Sequence, residues 1–314
     1  MVHVGMVPAA IGHVNGTPTA DRAVVPMVEV LQPMHVVLIP TDRCMLAVDL
    51  QRVQRLVASS ITGRLEQPQR TVTEMTEEST GVVDADVLHL ARQRVHSLLD
   101  EAGYGKRVGY KIGCTTPVMQ KFLGIYNPCS GGVFNTSTNY VSTTLQFNNF
   151  AHPGVECEIA AYIGNDLLPE GKPFTRESVE ASVLALFGAI EIIDDRWVNY
   201  KTVDTPTLIA DDFFASGIVL SEPMPVKDAP DLSSASGRMV INGQQVGNGS
   251  TADILGHPYK ALAWLANSLA ERGKHLREGE IVMLGSIVET QWVKPGDEVK
   301  IDVEGIGGAL IKFE

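Results

Sequence analysis

The run PGVECEIAAYIG, residues 153–164, carries the clearest chemistry in the chain. In an extended segment alternate side chains share a face, so Glu156 and Glu158 project together. Val155, Cys157 and Ile159 then point the other way, into apolar packing. Two neighbouring carboxylates repel each other unless a positive charge lies between them. A hard divalent cation is one solution; a solvated strand face is the other, and a bare Glu-X-Glu favours it. Glu191 shifts that balance. It sits inside the apolar run FGAIEIID, where a lone carboxylate is costly to bury without a partner. A strand end emerging into water beside Asp194, Asp195 and Arg196 would also accommodate it. As a third ligand, Glu191 completes an oxygen donor set suited to octahedral Mg²⁺ or Mn²⁺.

Three other side chains invite a role. Lys111, in VGYKIG, alternates with Tyr110 and Ile112 and among glycines can reach a cleft, to donate a proton or steady an enolate. A surface lysine is the plainer reading of that residue alone. Arg196 has the planar fork that clamps a carboxylate, or it pairs with a neighbouring aspartate. His257, in Gly-His-Pro, reads as a helix-start residue rather than a base. Cys129 has no adjacent His or helix N-terminus to activate it as a nucleophile.

These residues need elements to hold them. VGYKIG (108–113), 155–163, 187–193, 281–285, 298–303 and 309–313 read as strands, and RMVINGQQVG (238–247) as a hairpin turning on Asn-Gly. TTPVMQKFL reads as a short helix with Thr116 as cap and Pro117 at its first position. Thr175 caps a predicted helix over 176–186, and 257–273 is a helix stopped by Gly273. Upstream, Leu46, Leu50, Val53, Leu56, Val57 and Ile61 form one helical stripe. Residues 63–80 read as a polar loop, and a second amphipathic helix spans 85–101 between Asp84 and Gly103. Residues 1–44 have no steady period and are expected to be a disordered extension; Met45 is an alternative start. Residues 45–107 then form a helical N-terminal subdomain and 108–314 the catalytic domain. Strands outnumber helices after residue 108 without βαβ alternation, so the expected class is α+β with a mainly antiparallel core.

Composition narrows the partners. The 314-residue chain has a net charge of −12 and no basic stripe, which argues against nucleic acid. No run of about 18 apolar residues is present, so no membrane span is expected. The four cysteines (Cys44, Cys114, Cys129 and Cys157) form no CxxC pair, which argues against a zinc cluster or disulfide framework and suits a reducing cytoplasm. The N-terminus lacks the basic and apolar pattern of a secretory signal.

Five segments in register (GYKIGCTTPVMQKFLGI, PGVECEIAAYIG, AIEIIDDRW, LGHPYKALAWLAN and REGEIVMLGS) resemble the 2-keto-4-pentenoate hydratase and oxalocrotonate decarboxylase group of the fumarylacetoacetate hydrolase superfamily. Order and spacing agree from about residue 46 to 314. The resemblance implies a fumarylacetoacetate-hydrolase-like β-rich core with a small helical N-terminal subdomain. It implies metal ligation by Glu156, Glu158 and Glu191 and puts the group's active-site lysine on Lys111. It also puts substrate-side positions on Ser286, next to Gly285, and on Asp211. The implied reaction is metal-dependent hydration of a 2-hydroxy-2,4-dienoate to a 4-hydroxy-2-oxo acid, as in aromatic catabolism. Decarboxylation of a 2-oxo-3-enedioate, C–C hydrolysis of an acylpyruvate and a non-catalytic partner subunit are the alternatives. A homo-oligomer, or a complex with a related enzyme, is the implied assembly. The sequence departs from the group twice. Where many members read Pro-Asp-Phe/Tyr-Gly after the short helix, this chain has NPCSGG, with Cys129 in place of the acid. The group's Ala-Asp-Asn reads Ala-Asp-Asp, followed by Phe213 and Phe214.

Overall fold

The structure, a computed structural model, describes residues 92–314 apart from positions 94, 98, 102 and 204. The expected extension 1–44, the helix at 46–61, the loop at 63–80 and the Asp84 cap lie outside the described residues. Residues 92, 93, 95–97 and 99–101 are helical. Gly103 ends that helix in the left-handed region (φ 85°), with its N–H on the carbonyl of Asp100 and that of Tyr104 on Leu99.

Thirteen strands follow among the described residues. In chain order they are β1 (Arg107–Gly113), β2 (Cys129–Phe134), β3 (Thr138–Tyr140), β4 (Ser142–Leu145), β5 (Pro153–Ile163), β6 (Val183–Asp194) and β7 (Ala215–Leu220), then β8 (Met224–Pro225), β9 (Ser236–Ile241), β10 (Gln244–Ser250), β11 (Ile281–Trp292), β12 (Glu298–Val303) and β13 (Gly307–Phe313). The interspersed helices are α1 (Pro117–Leu123), α2 (Arg176–Glu180), α3 (Thr205–Ala210) and α4 (Pro258–Ala270). An eight-stranded sheet runs β2-β1-β11-β5-β6-β7-β3, with β8 beside β6; a five-stranded sheet runs β10-β9-β12-β13-β4. Most pairings are antiparallel, and β1–β11, β13–β4 and β3–β7 are parallel. The α+β, β-rich expectation holds.

The period-2 pattern of β5 sorts its two faces. Val155, Cys157 and Ile159 are fully buried and join Ile190 and Ile192 of β6 and Val299, Ile301 and Val303 of β12 in the main core. The opposite face carries Glu156, Glu158 and Ala160. Ala160 packs with Phe187 and Ala189 of β6, Ile218 of β7 and Met283 of β11 in a second, smaller cluster. The carboxylates therefore share a face of the large sheet with a thin apolar layer.

Several local readings meet their physical causes. Thr116 caps α1 and Gly124 closes it at φ 66°. Asn242 and Gly243 both take positive φ, as a two-residue hairpin turn requires. His257 caps α4, accepting the Tyr259 N–H at 3.1 Å on Nδ1. The predicted helix over 176–186 is shorter: Arg176–Glu180 is helical, and Val183 already begins β6. Val183, Ala185 and Leu186 are buried in the sheet, so tertiary packing overrides the helical pattern there.

Candidate active site

Strand register brings the acids together. Glu156 lies directly opposite Glu191 across the β5–β6 pair, and Glu158 opposes Ala189 on one side and Ser286 of β11 on the other. Like charges facing each other across a pair destabilise a sheet unless something offsets them. One carboxylate oxygen from each of Glu156, Glu158 and Glu191 lies within 4.8 Å of the others. Glu158 and Glu191 are buried and Glu156 is half-buried.

Lys111 is the cation that meets this cluster among the described residues. Its Nζ donates to Glu191 Oε1 at 2.7 Å and to the Phe213 carbonyl at 2.9 Å. Burial alone would depress the lysine; the charge and hydrogen bond of Glu191, aided by Glu156 and Glu158, outweigh it and hold the ammonium charged. The acids move the other way. Burial first, then repulsion from Glu191, raises Glu156, although the Thr290 hydroxyl donates to it. Glu158 lies further above the ordinary range, through burial and then repulsion from Glu191 and Glu156. The Gly285 N–H donates to Glu158 at 3.3 Å. Three carboxylates against one ammonium leave two negative charges uncompensated. Hard, clustered oxygens with that excess fit a divalent cation.

A cavity of about 230 Å³ opens at the Lys111–Glu191 end, and Phe134, Arg196, Asp211 and Asp212 share its lining. It is smaller than the usual range for drug-sized ligands, about 300–1,000 Å³, and suits a small ligand. Arg196 spends its fork on protein groups: Asp211 Oδ1 at 2.9 Å, the Asp211 carbonyl at 3.3 Å and the Ala215 carbonyl at 3.2 Å. Its Nε has no hydrogen-bond partner among the described residues. Trp197 Nε1 donates to the second oxygen of Asp211 at 3.4 Å. Ser286 lies beside Glu158, outside the cavity lining, with its hydroxyl on the Val288 carbonyl at 2.6 Å.

The sequence did not single out Asp212, which lines the same cavity, or His96, which contacts it. Asp212 is buried, and its Oδ2 lies 2.6 Å from Nε2 of His96, a residue of the helical stretch before β1. Asp212 Oδ1 has no partner among the described residues. Asp212, Phe213 and Phe214 all take left-handed φ (53°, 49° and 64°). Such geometry costs roughly 1–2 kcal/mol per non-glycine residue and concentrates at functional turns. This turn supplies the Phe213 carbonyl to Lys111 and puts Asp212 at the cavity. The Gly131–Gly132 pair of β2 makes room for it. A Cβ on Gly131 would stand 3.0 Å from Asp212 Cβ and 3.1 Å from Lys111 Cγ; one on Gly132 would stand 2.9 Å from His96 Nε2. That Gly-Gly, after the short helix, was the available sequence signal.

Known proteins share this arrangement of strands. Residues 133–311 match the fumarylacetoacetate hydrolase C-terminal family. The chain is 30% identical over 248 residues to a 2-hydroxyhexa-2,4-dienoate hydratase of Comamonas testosteroni, covering 78% of this chain and 91% of the relative. It is 34% identical over 215 residues to a 2-keto-4-pentenoate hydratase of Paraburkholderia xenovorans strain LB400, covering 67% and 77%. The solved 4-oxalocrotonate decarboxylase from Pseudomonas putida G7, complexed with calcium and acetate, superposes with a TM-score of 0.64 at 28% identity, covering 73% of this chain and 84% of that one. With the family match spanning more than half its length, and relatives aligned over most of theirs, this chain belongs to the fumarylacetoacetate hydrolase family.

Proposed function

We propose that the protein is a divalent-metal-dependent hydratase that converts a short 2-hydroxy-2,4-dienoate into a 4-hydroxy-2-oxo acid. The observation that carries this reading is the clustered trio Glu156, Glu158 and Glu191, with Lys111 as its one contacting counter-charge among the described residues. The trio would hold Mg²⁺ or Mn²⁺, which when bound supplies a Lewis acid for the C1 carboxylate and C2 oxygen of the substrate. The relatives named as dienoate and pentenoate hydratases support the reaction class.

The chain's own groups divide the proton work. The dienol becomes a 2-oxo-3-enoate by losing its hydroxyl proton and gaining one at C5. Water then adds across C3 and C4, with oxygen on C4, the electrophilic end of the enone. Lys111 Nζ, held charged by Glu191, steadies negative charge on the C2 oxygen in both steps. The Asp212 carboxylate takes the proton from the adding water and returns one to C3, and His96, hydrogen-bonded to its Oδ2, orients the carboxylate. Arg196, with Asp211 keeping the guanidinium in place, puts positive charge in the cavity wall that favours a substrate carboxylate. Ser286, on the neighbouring strand opposite Glu158, offers its hydroxyl beside Glu156 on the substrate side of the trio. In this reading residues 108–314 are the catalytic domain and the preceding helical subdomain (45–107) contributes His96. The same reading takes the enzyme as a cytoplasmic homo-oligomer.

The decarboxylase likeness favours a second reading, in which the same site stabilises the dienolate left when a 2-oxo-3-enedioate loses CO₂. Full-length protein assayed with Mg²⁺ on 2-hydroxypenta-2,4-dienoate, 2-oxohex-3-enedioate and an acylpyruvate separates the readings. Turnover of the dienoate that disappears on chelation is expected. Turnover of the enedioate alone selects the decarboxylase, and dienoate turnover that survives complete metal removal refutes the metal reading.

A further inference from the structure

Cys114 and Cys129 meet where β1 ends and β2 begins. Gly113 pairs with Cys129 in the β1–β2 register, and Cys114 follows in the left-handed region at φ 57°. The turn directs its Sγ at Cys129 Sγ, 3.2 Å away. A disulfide requires about 2.05 Å, so roughly 1 Å of approach separates the thiol pair from a bond. The two differ in access: Cys114 is half-buried and Cys129 is buried. They also differ in reactivity. The hydrogen bond from Cys129 lowers Cys114, and Lys111 assists, while burial and the bond to Cys114 raise Cys129. Cys157, in the main core, provides a contrast: burial pushes its thiol up to about 12.

We infer that Cys114 and Cys129 form an oxidative modification site that a hydroperoxide converts into an intrachain disulfide. In the first step the Cys114 thiolate attacks the peroxide oxygen. The O–O bond breaks, the sulfur becomes a sulfenic acid and, for hydrogen peroxide, hydroxide leaves and is protonated to water. In the second step Cys129 sulfur attacks the Cys114 sulfur. The S–O bond breaks, a second water leaves with the Cys129 proton, and the S–S bond forms. Two thiols are oxidised and one peroxide is reduced to two waters. The short Sγ–Sγ distance makes the second step intramolecular and fast relative to over-oxidation. The bridge would tie the end of the strand that carries Lys111 to the strand that carries Gly131 and Gly132. This inference does not depend on the hydratase reading.

The test uses the reduced full-length protein. It is treated with stoichiometric hydrogen peroxide, quenched, alkylated under denaturing conditions, digested without reduction and mapped by mass spectrometry. The expected product is a Cys114–Cys129 cross-linked peptide pair, with Cys157 alkylated as a free thiol. In Cys129→Ser the expected product is a Cys114 sulfenic acid trapped by dimedone; in Cys114→Ser, Cys129 remains alkylatable at the same dose. Recovery of both thiols alkylated in the wild-type protein overturns the inference. So does a bridge that joins either one only to Cys44 or to another molecule. The wild-type map decides even if a variant fails to fold.

Discussion

Replacing Lys111 with Met removes the one ammonium that contacts the acidic trio among the described residues and leaves its volume nearly filled. The Lys111 and Glu191 side chains are 7% and 5% exposed and 2.7 Å apart. Removing one partner of a buried pair costs about 3–5 kcal/mol, because the other charge stays behind without solvent. Here Glu191 also faces Glu156 across the β5–β6 pair. One glutamate can bind a proton instead of staying ionised, which places the expected loss near the lower end, about 3 kcal/mol at neutral pH. A divalent cation supplies the missing charge. At a hundred times its Kd a ligand of the folded state contributes about 2.7 kcal/mol. The variant should bind it more tightly than wild type, because the neighbouring ammonium no longer repels it. Urea unfolding followed by tryptophan fluorescence, in chelator and in saturating Mg²⁺, measures both effects. The variant should be the weaker protein in chelator, regain most of the difference with Mg²⁺, and remain inactive. A loss below about 1 kcal/mol in chelator, or an Mg²⁺ rescue no larger than that of wild type, would refute the charge accounting.

Metal removal and pH are linked in the same site. Glu156 and Glu158 are raised in the folded, metal-free protein, by burial first and mutual repulsion second. Their contribution is therefore favourable below the unfolded glutamate range and is lost as pH rises through the raised values. Chelated protein should lose stability as pH rises above the glutamate range, and Mg²⁺ should flatten that slope; a thermal-melt series across pH with and without chelator checks it. Gly131→Ala should reduce kcat more than it changes folding stability, because its methyl presses on Asp212 and Lys111 at 3.0–3.1 Å. Steady-state kinetics beside a urea titration decide this, and a fall in stability with kcat unchanged counts against an Asp212–Lys111 site. His96→Asn should lower kcat by roughly 10–100-fold, the usual cost of losing a group that orients a working side chain, with a smaller effect on KM. An unchanged kcat removes the His96–Asp212 pair from the mechanism. Asp211→Asn leaves the Arg196 guanidinium buried with a weaker partner and should destabilise the fold by about 1–3 kcal/mol, read as a shifted urea midpoint.

Eight of the thirteen described strands were legible: β1, β5, β6 and β9 to β13. β12 shows a two-residue period with one buried face, whereas β5 and β6 are buried on both faces and read from their apolar runs. The short β2, β3, β4, β7 and β8 carry neither signal. In β12 the faces follow from the residue types, and in β5 Glu156 and Glu158 fall on one face by parity alone. Glu191 was legible for a different reason: it is the single charge within an apolar run. What parity does not provide is which strands become neighbours. The register that sets Glu156 opposite Glu191, and the order that brings Lys111 to both, are long-range pairings with no local signature. The helix expected through residue 186 failed because burial in the central sheet recruits Val183–Leu186 into β6. The His96–Asp212 pair was invisible for a stronger reason. Its members are 116 positions apart, and the turn that presents Asp212 uses three consecutive left-handed residues that are not glycine. Aspartate visits that region more readily than most residues, but no propensity argument anticipates two phenylalanines after it.

That turn brings a carboxylate to the cavity in a chain that lacks the group's acid after the short helix. In its place Cys129 is buried and engaged with Cys114, so it offers the cavity no proton carrier. The carboxylate in the cavity comes instead from the 212–214 turn, which accepts backbone strain and provides the Phe213 carbonyl that fixes Lys111. A partner subunit relieved of catalysis has no need to bury an aspartate oxygen without a partner or to hold three residues at unfavourable φ. Under the stability threshold that ordinary drift respects, such costs are readily removed by single substitutions. Such costs beside a trio of metal-suited glutamates favour a working enzyme, with the Asp212 carboxylate brought to the cavity by a different strand connection.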